Sequence, residues 1–177
     1  MIKIKCEKAH GDYDPGTSKF FGSPTCPEEW LENGFIGDED FFFCQFKIEE
    51  FKKFDSENIL PDKGFIYFFL SKKGEKYIPN VRYTETLPET IIDDFNEGFD
   101  FSFDITTEYS ADFEDDENFD GTSLLISRED EIVLLKYDPL DENMPEFLSE
   151  TEKICIFTIS RENLKKLDFS SVSMKIQ

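Results

Sequence analysis

The chain has 177 residues, 38% of them hydrophobic and 16% aromatic with 21 Phe, enough to bury one sizeable core, so a single domain over 1–177 is expected. Its formal net charge of −21 repels phosphate-bearing surfaces, which excludes nucleic acid and anionic membranes as expected partners. Four dispersed cysteines with no Cys-x-x-Cys pair suit reduced thiols better than disulfides or zinc ligands, and a single histidine, His10, excludes any mechanism or metal site that needs two histidines.

In chain order, "MIKIKCEKAH" alternates Ile with Lys, the period of a half-buried strand. It holds no apolar run of the kind a signal peptide or spanning helix needs, so a cytoplasmic protein is expected. Next comes "GTSKFFGSPTCPEEW", residues 16–30, in which Gly22, Pro24 and Pro27 impose a non-repetitive path. Phe20, Phe21 and Trp30 are expected to cap the core from this loop, the alternative being that they line a cleft. Cys26 in the same loop reads as the accessible thiol, whereas Cys44 and Cys155 lie in apolar runs and read as buried, reduced thiols.

"FFFCQF" (41–46) and "FIYFFL" (65–70) are continuously apolar, the pattern of strands covered on both faces. A buried Gln45 must find partners, and bracing the 18–27 loop is preferred over facing a ligand. "PDKG" and "SKKG" carry turn chemistry and make 65–70 a hairpin arm. "LPETIIDDF" is expected to be a helix with Pro88 in its first turn, ending before Gly98. "FDFSFDI" (99–105) alternates without a fault and is expected to be a strand. "EIVLLKY" and "KICIFTI" read as further central strands. "SRENLKKL" reads as a short helix capped by Ser160 with lysines in its last turn, and "SVSMKIQ" as a closing strand. The class is therefore α+β and β-dominated, with mostly antiparallel sheet and a few short helices. "CQFKIEEFKKFD" (44–55) echoes "CIFTISRENLKKLD" (155–168), which points to an internal strand–helix duplication. Asp55 and Asp168, closing the two copies, are expected to tie down turns.

From Tyr83 to Ser127 there is no Lys or Arg but 14 Asp and Glu, two thirds of the net charge. Such a stretch is by default a solvated face that keeps the protein soluble, and as a binding surface it would suit a basic protein partner or a cation. Within it "DENFDG" places Asp116, Asn118 and Asp120 at the alternate spacing of a calcium loop, with Gly121 at the turn. The twelfth position is Ser127 instead of a bidentate Glu, so an acidic turn is the better account and no cofactor is expected. Cys26 and His10 are not paired by any sequence feature, and no catalytic set is assigned.

Taken together, "SKFFGSPTCPE", "FFFCQFKIEEF", "LPDKGFIYFFL", "IVLLKYDP" and "ICIFTISRENLKKLDFSSV" resemble, in order, motifs of the bacterial YwqG-like family. Phe21 stands where the family's second glycine is usual, Lys136 where a second strand glutamine is usual, and the glycine motif before that strand is replaced by "DFEDDENFDG". The resemblance implies a β-rich, internally duplicated fold in a bacterial cytosol. Family members are often encoded near secreted toxins, which implies an immunity role. The expected function is a non-enzymatic, acidic module that binds a basic protein such as a toxin. Lys19, Phe21, Gly22, Pro24, Trp30 and Gln45 are the candidate binding residues. The alternative is a small-molecule-binding protein or enzyme with a cleft beside the Ser18–Pro27 loop and Gln45 near its floor.

Overall fold

Aromatic and β-branched runs separated by glycine-bearing turns favour extended backbone over helix, and the fold follows that bias. The computed structural model describes residues 1–9, 16–88, 90–147 and 152–177. Among these, ten strands form one antiparallel, nearly closed sheet: β1 (Ile2–Lys8), β2 (Lys19–Phe20), β3 (Phe41–Lys47), β4 (Phe65–Lys73), β5 (Lys76–Thr84), β6 (Tyr109–Asp115), β7 (Ser123–Ser127), β8 (Glu131–Tyr137), β9 (Cys155–Ser160) and β10 (Ser173–Ile176). Three short helices accompany them: α1 (Glu29–Glu32), α2 (Ile48–Phe51) and α3 (Arg161–Lys165). The strand order is β10-β9-β8-β7-β1-β6-β2-β3-β4-β5. Its two ends approach each other where Tyr83 of β5 stacks on Phe169, just before β10, with ring centroids 5.6 Å apart.

That order reads the same from either end once β1 is exchanged with β6, β2 with β7, and so on to β5 with β10. The registers agree with the exchange. Lys19 of β2 lies opposite Gln45 and Ser110, and Ser123 of β7 lies opposite Lys136 and Lys3. Beside β6 the Ala111 N–H donates to Ser18 O (3.0 Å), and beside β1 the Ile4 N–H donates to Thr122 O (3.1 Å). β3 carries a bulge between Phe42 and Cys44, and β8 one between Val133 and Leu135. The sheet is thus two five-strand halves related by a pseudo-two-fold axis. The two echoing segments each form a strand that runs into a short helix and buries its apolar residue, Phe51 or Leu164. They lie on β3 and β9, whereas the sheet repeat relates β3 to β8.

Inside the sheet, Phe20, Phe21, Phe43, Phe46, Phe68, Tyr137 and Phe157 belong to one core. Each fully buried ring of this kind contributes about 1.5–3 kcal/mol. β4 explains its own continuous apolarity. Ile66, Phe68 and Leu70 face that core, while Phe65, Tyr67 and Phe69 face a second cluster with Cys26, Trp30, Ile36 and Phe42 on the outer side. Ser160 caps α3 as expected, its Oγ accepting from Asn163 N at 3.2 Å.

Two expected elements do not form. Residues 99–105 keep the expected alternation of burial but bend at Ser102 and Phe103 and join no strand ladder. Phe99, Phe101 and Phe103 stack face to face (centroids 5.9 and 5.1 Å apart), and Phe101 packs on Phe41 at 5.0 Å. Asn96 occupies the backbone groups beside them, bonding Phe42 N, Phe42 O and Ile105 O. "LPETIIDDF" is likewise irregular over its described residues. Ile92 N donates to Pro24 O, Asp94 takes a left-handed φ of 57°, and Phe95 packs on Phe69, so the segment follows the loop it covers. β5 is the second arm of the hairpin expected of 65–70, paired with β4 across the turn between Lys73 and Lys76, and it carries Pro79. As an edge strand it tolerates a residue that cannot donate.

Candidate functional site

The Ser18–Pro27 loop lies over the outer side of β3 and β4, and Gln45 holds it there. Its Oε1 accepts from Thr25 N (3.0 Å), and its Nε2 donates to Thr17 O (2.9 Å) and Thr25 Oγ1 (2.7 Å). Tyr67 adds a hydrogen bond from its hydroxyl to Thr25 O at 2.7 Å. The Ser18 hydroxyl accepts from Lys47 N, and Ser18 N donates to the Glu50 carboxylate. Gln45 is completely buried and braces the loop, the role preferred from the sequence.

Lys19 is also fully buried, with its ammonium 2.8 Å from Glu108 Oε2. Burial lowers the Lys19 pKa and Glu108 partly restores it. Gly22, at a φ of 74°, lets the backbone meet Glu108 directly, because a Cβ there would come within 2.9 Å of Glu108 Cβ. Phe21 holds a left-handed φ of 56° where a second glycine is usual in the resembled motif, and its ring is wholly inside the core. Pro24 is buried as well. Phe20 and Phe21 therefore cap the core.

Trp30 differs from the other five candidates. It packs edge-on to Tyr67 at 5.2 Å and also lines an open groove of about 460 Å³ between Cys26–Trp30 and the residues Tyr83, Thr84, Thr86, Pro88 and Thr90. Gln45 does not line that groove, so a cleft floored by Gln45 is not what lies beside the loop. Cys26 also needs correction: it is buried, and burial pushes its thiol up to about 12, far from a reactive thiolate. Cys6 is the partly exposed cysteine instead, and Cys44 and Cys155 are buried and free as expected. His10 lies outside the described residues.

Across the pseudo-two-fold axis, Lys136 stands at the position of Gln45. Its ammonium donates to Asp120 O (3.2 Å) and Asp120 Oδ1 (2.8 Å), tying down the segment before β7 much as Gln45 ties the segment before β2. Asp120 is thereby committed to Lys136, while Asp116 Oδ1 accepts from Asn118 N (3.1 Å) within the turn. Among the described residues no three or more His, Cys, Asp or Glu side chains converge as a metal site would require. Asp55 ties its turn as expected, accepting from Ile59 N and Leu60 N at 2.9 Å, and Asp168 accepts from Ser170 Oγ.

Thr25, Glu108, Tyr67 and Asn96 belong to this scaffold, and sequence reasoning passed over them. Glu108 was one carboxylate among 14 in its stretch, and only the pairing of β2 with β6 brings it to Lys19. No helix among the described residues is long and apolar enough to cross a membrane. No protein-family model matches the chain, and no curated protein is significantly similar to it.

Proposed function

We propose that this chain is an acidic, non-enzymatic protein-binding module of a bacterial cytosol, steered to a basic partner by the carboxylates of Glu85–Asp120. One observation carries the reading. Among the described residues no buried side-chain nitrogen or oxygen lacks a hydrogen-bond partner, and the candidate loop spends Lys19 and Gln45 on holding itself together. Catalysis calls for polar groups left available and aimed at a cleft. Here the buried ones are used up, and the exposed charge is overwhelmingly negative. Such a field raises the encounter rate with a cationic protein and rejects anionic ones. The resemblance to YwqG-like proteins supports a toxin as that partner and immunity as the role.

Capture from lysate and culture medium of the host cells tests this. The bait is the wild type beside a variant in which the exposed Asp and Glu of 93–120 become Asn and Gln. A basic protein retained by the wild type and lost by the variant is the expected result. If nothing specific is retained at low salt, the module reading falls. The second reading, a small ligand in the groove beside Trp30, then takes precedence because that groove exists.

A further inference from the structure

Large apolar side chains exposed to solvent are few in this protein, and they are not spread evenly. Among the described residues there are seven, and four of them gather around α1, β5 and the turn after it: Leu31 (38% exposed), Phe35 (45%), Ile78 (40%) and Leu87 (48%). Phe35 is held firmly. Its carbonyl accepts from Asn80 Nδ2 (2.6 Å) and an Arg82 guanidinium N–H (3.1 Å), and the same guanidinium lies over its ring at 4.9 Å. Ile78 alternates onto the same side of β5 as Asn80 and Arg82. Phe35, fixed in this way, loses little freedom when it is covered.

The surroundings of these residues decide what covers them. The groove of about 460 Å³ opens beside them, Leu87 standing between two of its lining residues, Thr86 and Pro88. No lysine or arginine lines that groove, and Glu28 and Glu29 do. Among the described residues Glu28, Glu29 and Glu32 have no cation within ion-pair distance. A second copy of the chain brings a further charge of −21 to this rim and is disfavoured there.

We infer that the α1–β5 face docks a basic, amphipathic segment of a partner protein. Apolar residues of that segment cover Leu31, Phe35, Ile78 and Leu87, and its cations meet Glu28, Glu29 and Glu32. The inference rests on the protein-binding reading above and assigns it a surface. An apolar centre inside a charged rim is the usual build of such a contact.

Trp30 is the only tryptophan in the chain and lines the groove, so its emission reports occupancy. The probe is a short, tryptophan-free peptide of alternating lysine and leucine, compared with a lysine–serine peptide of equal charge. Saturable change of Trp30 emission is expected with the first peptide, and binding about ten-fold weaker with the second. Joint Leu31→Ser and Phe35→Ser substitution is expected to weaken the lysine–leucine peptide about ten-fold. The Glu28→Gln, Glu29→Gln, Glu32→Gln variant leaves all apolar packing untouched and is expected to flatten the salt dependence of binding. If the peptide binds with unchanged affinity and salt dependence in both variants, the docking surface is elsewhere and this inference is overturned, while the module reading stands. If calorimetry at low salt finds no binding of the lysine–leucine peptide to the wild type at all, this inference is overturned, and the capture experiment decides the module reading separately.

Discussion

At the scale of single residues, Phe21 is an informative departure from local preference. A non-glycine residue in the left-handed region costs about 1–2 kcal/mol. Phe21 is held there because its ring is buried against Phe20, Phe43 and Phe147. The usual advantage of Ala over Gly should therefore reverse. Both Phe21→Ala and Phe21→Gly are expected to lose about 3 kcal/mol or more of stability, with the Gly variant the more stable of the two by about 1 kcal/mol. Urea denaturation measures this, and an Ala variant at least as stable as the Gly variant would contradict the strained backbone. The buried thiols give a pH prediction. Burial holds Cys26 and Cys155 up to about 12 against an ordinary value of 9.0, and it raises Cys44, Tyr67 and Tyr137 as well. The folded state keeps protons that the unfolded chain releases, so this stability is complete below pH 9 and is lost as pH climbs toward 12. Lys19, lowered by burial, acts in the opposite direction but alone. Melting temperature is expected to fall progressively above pH 9, and the fall should be shallower in Cys26→Ala. A flat profile would show that these groups titrate normally.

Elements show why a perfect period need not make a strand. "FDFSFDI" alternates burial as faultlessly in three dimensions as in sequence, yet its backbone lies outside every ladder. Its rings are drawn to Phe41 and Phe147 at one end of the core, and Asn96 takes the backbone groups that a neighbouring strand would use. Amide exchange separates the two states. The amides of 100–104 are expected to exchange at least about a hundred-fold faster than those in the middle of β3 and β4, which open only with larger-scale unfolding. Protection comparable to β3 would restore the strand assignment. β5 shows the opposite tolerance: Pro79 breaks the strand pattern locally, yet the strand forms because an edge position does not require its missing donor. The strand–helix echo of β3 and β9 was legible because it is carried by contiguous letters. The exchange of β3 with β8 was not, because Gln45 and Lys136 share a position and a task without sharing chemistry.

For the whole molecule the dominant quantity is charge. Lys5 pairs with Glu114 across β1 and β6 (2.7 Å), and Lys3 lies over Phe119, so the few cations near the axis are already engaged. Exposed pairs of this kind contribute little, while a net charge of −21 favours any expanded state through self-repulsion. Salt screens that repulsion over about 10 Å at 0.1 M. The melting temperature is therefore expected to rise with sodium chloride, most steeply at the lowest concentrations. A decrease would mean that attractive pairs outweigh the repulsion.

The sequence by itself determined the β-dominated class, the strands β3, β4, β8 and β9, and the Ser160-capped start of α3, because period and capping chemistry are read within a few neighbouring residues. It also set the acidity that the functional reading rests on. Tertiary structure alone decided that β1 pairs with β6, that Lys19 meets Glu108, that Cys26 is buried, and that the exposed Phe35 sits against Asn80 and Arg82 of β5. An extended segment or a buried polar group must find its partner among residues far along the chain, and which one it finds depends on how the two halves of the sheet close around the core.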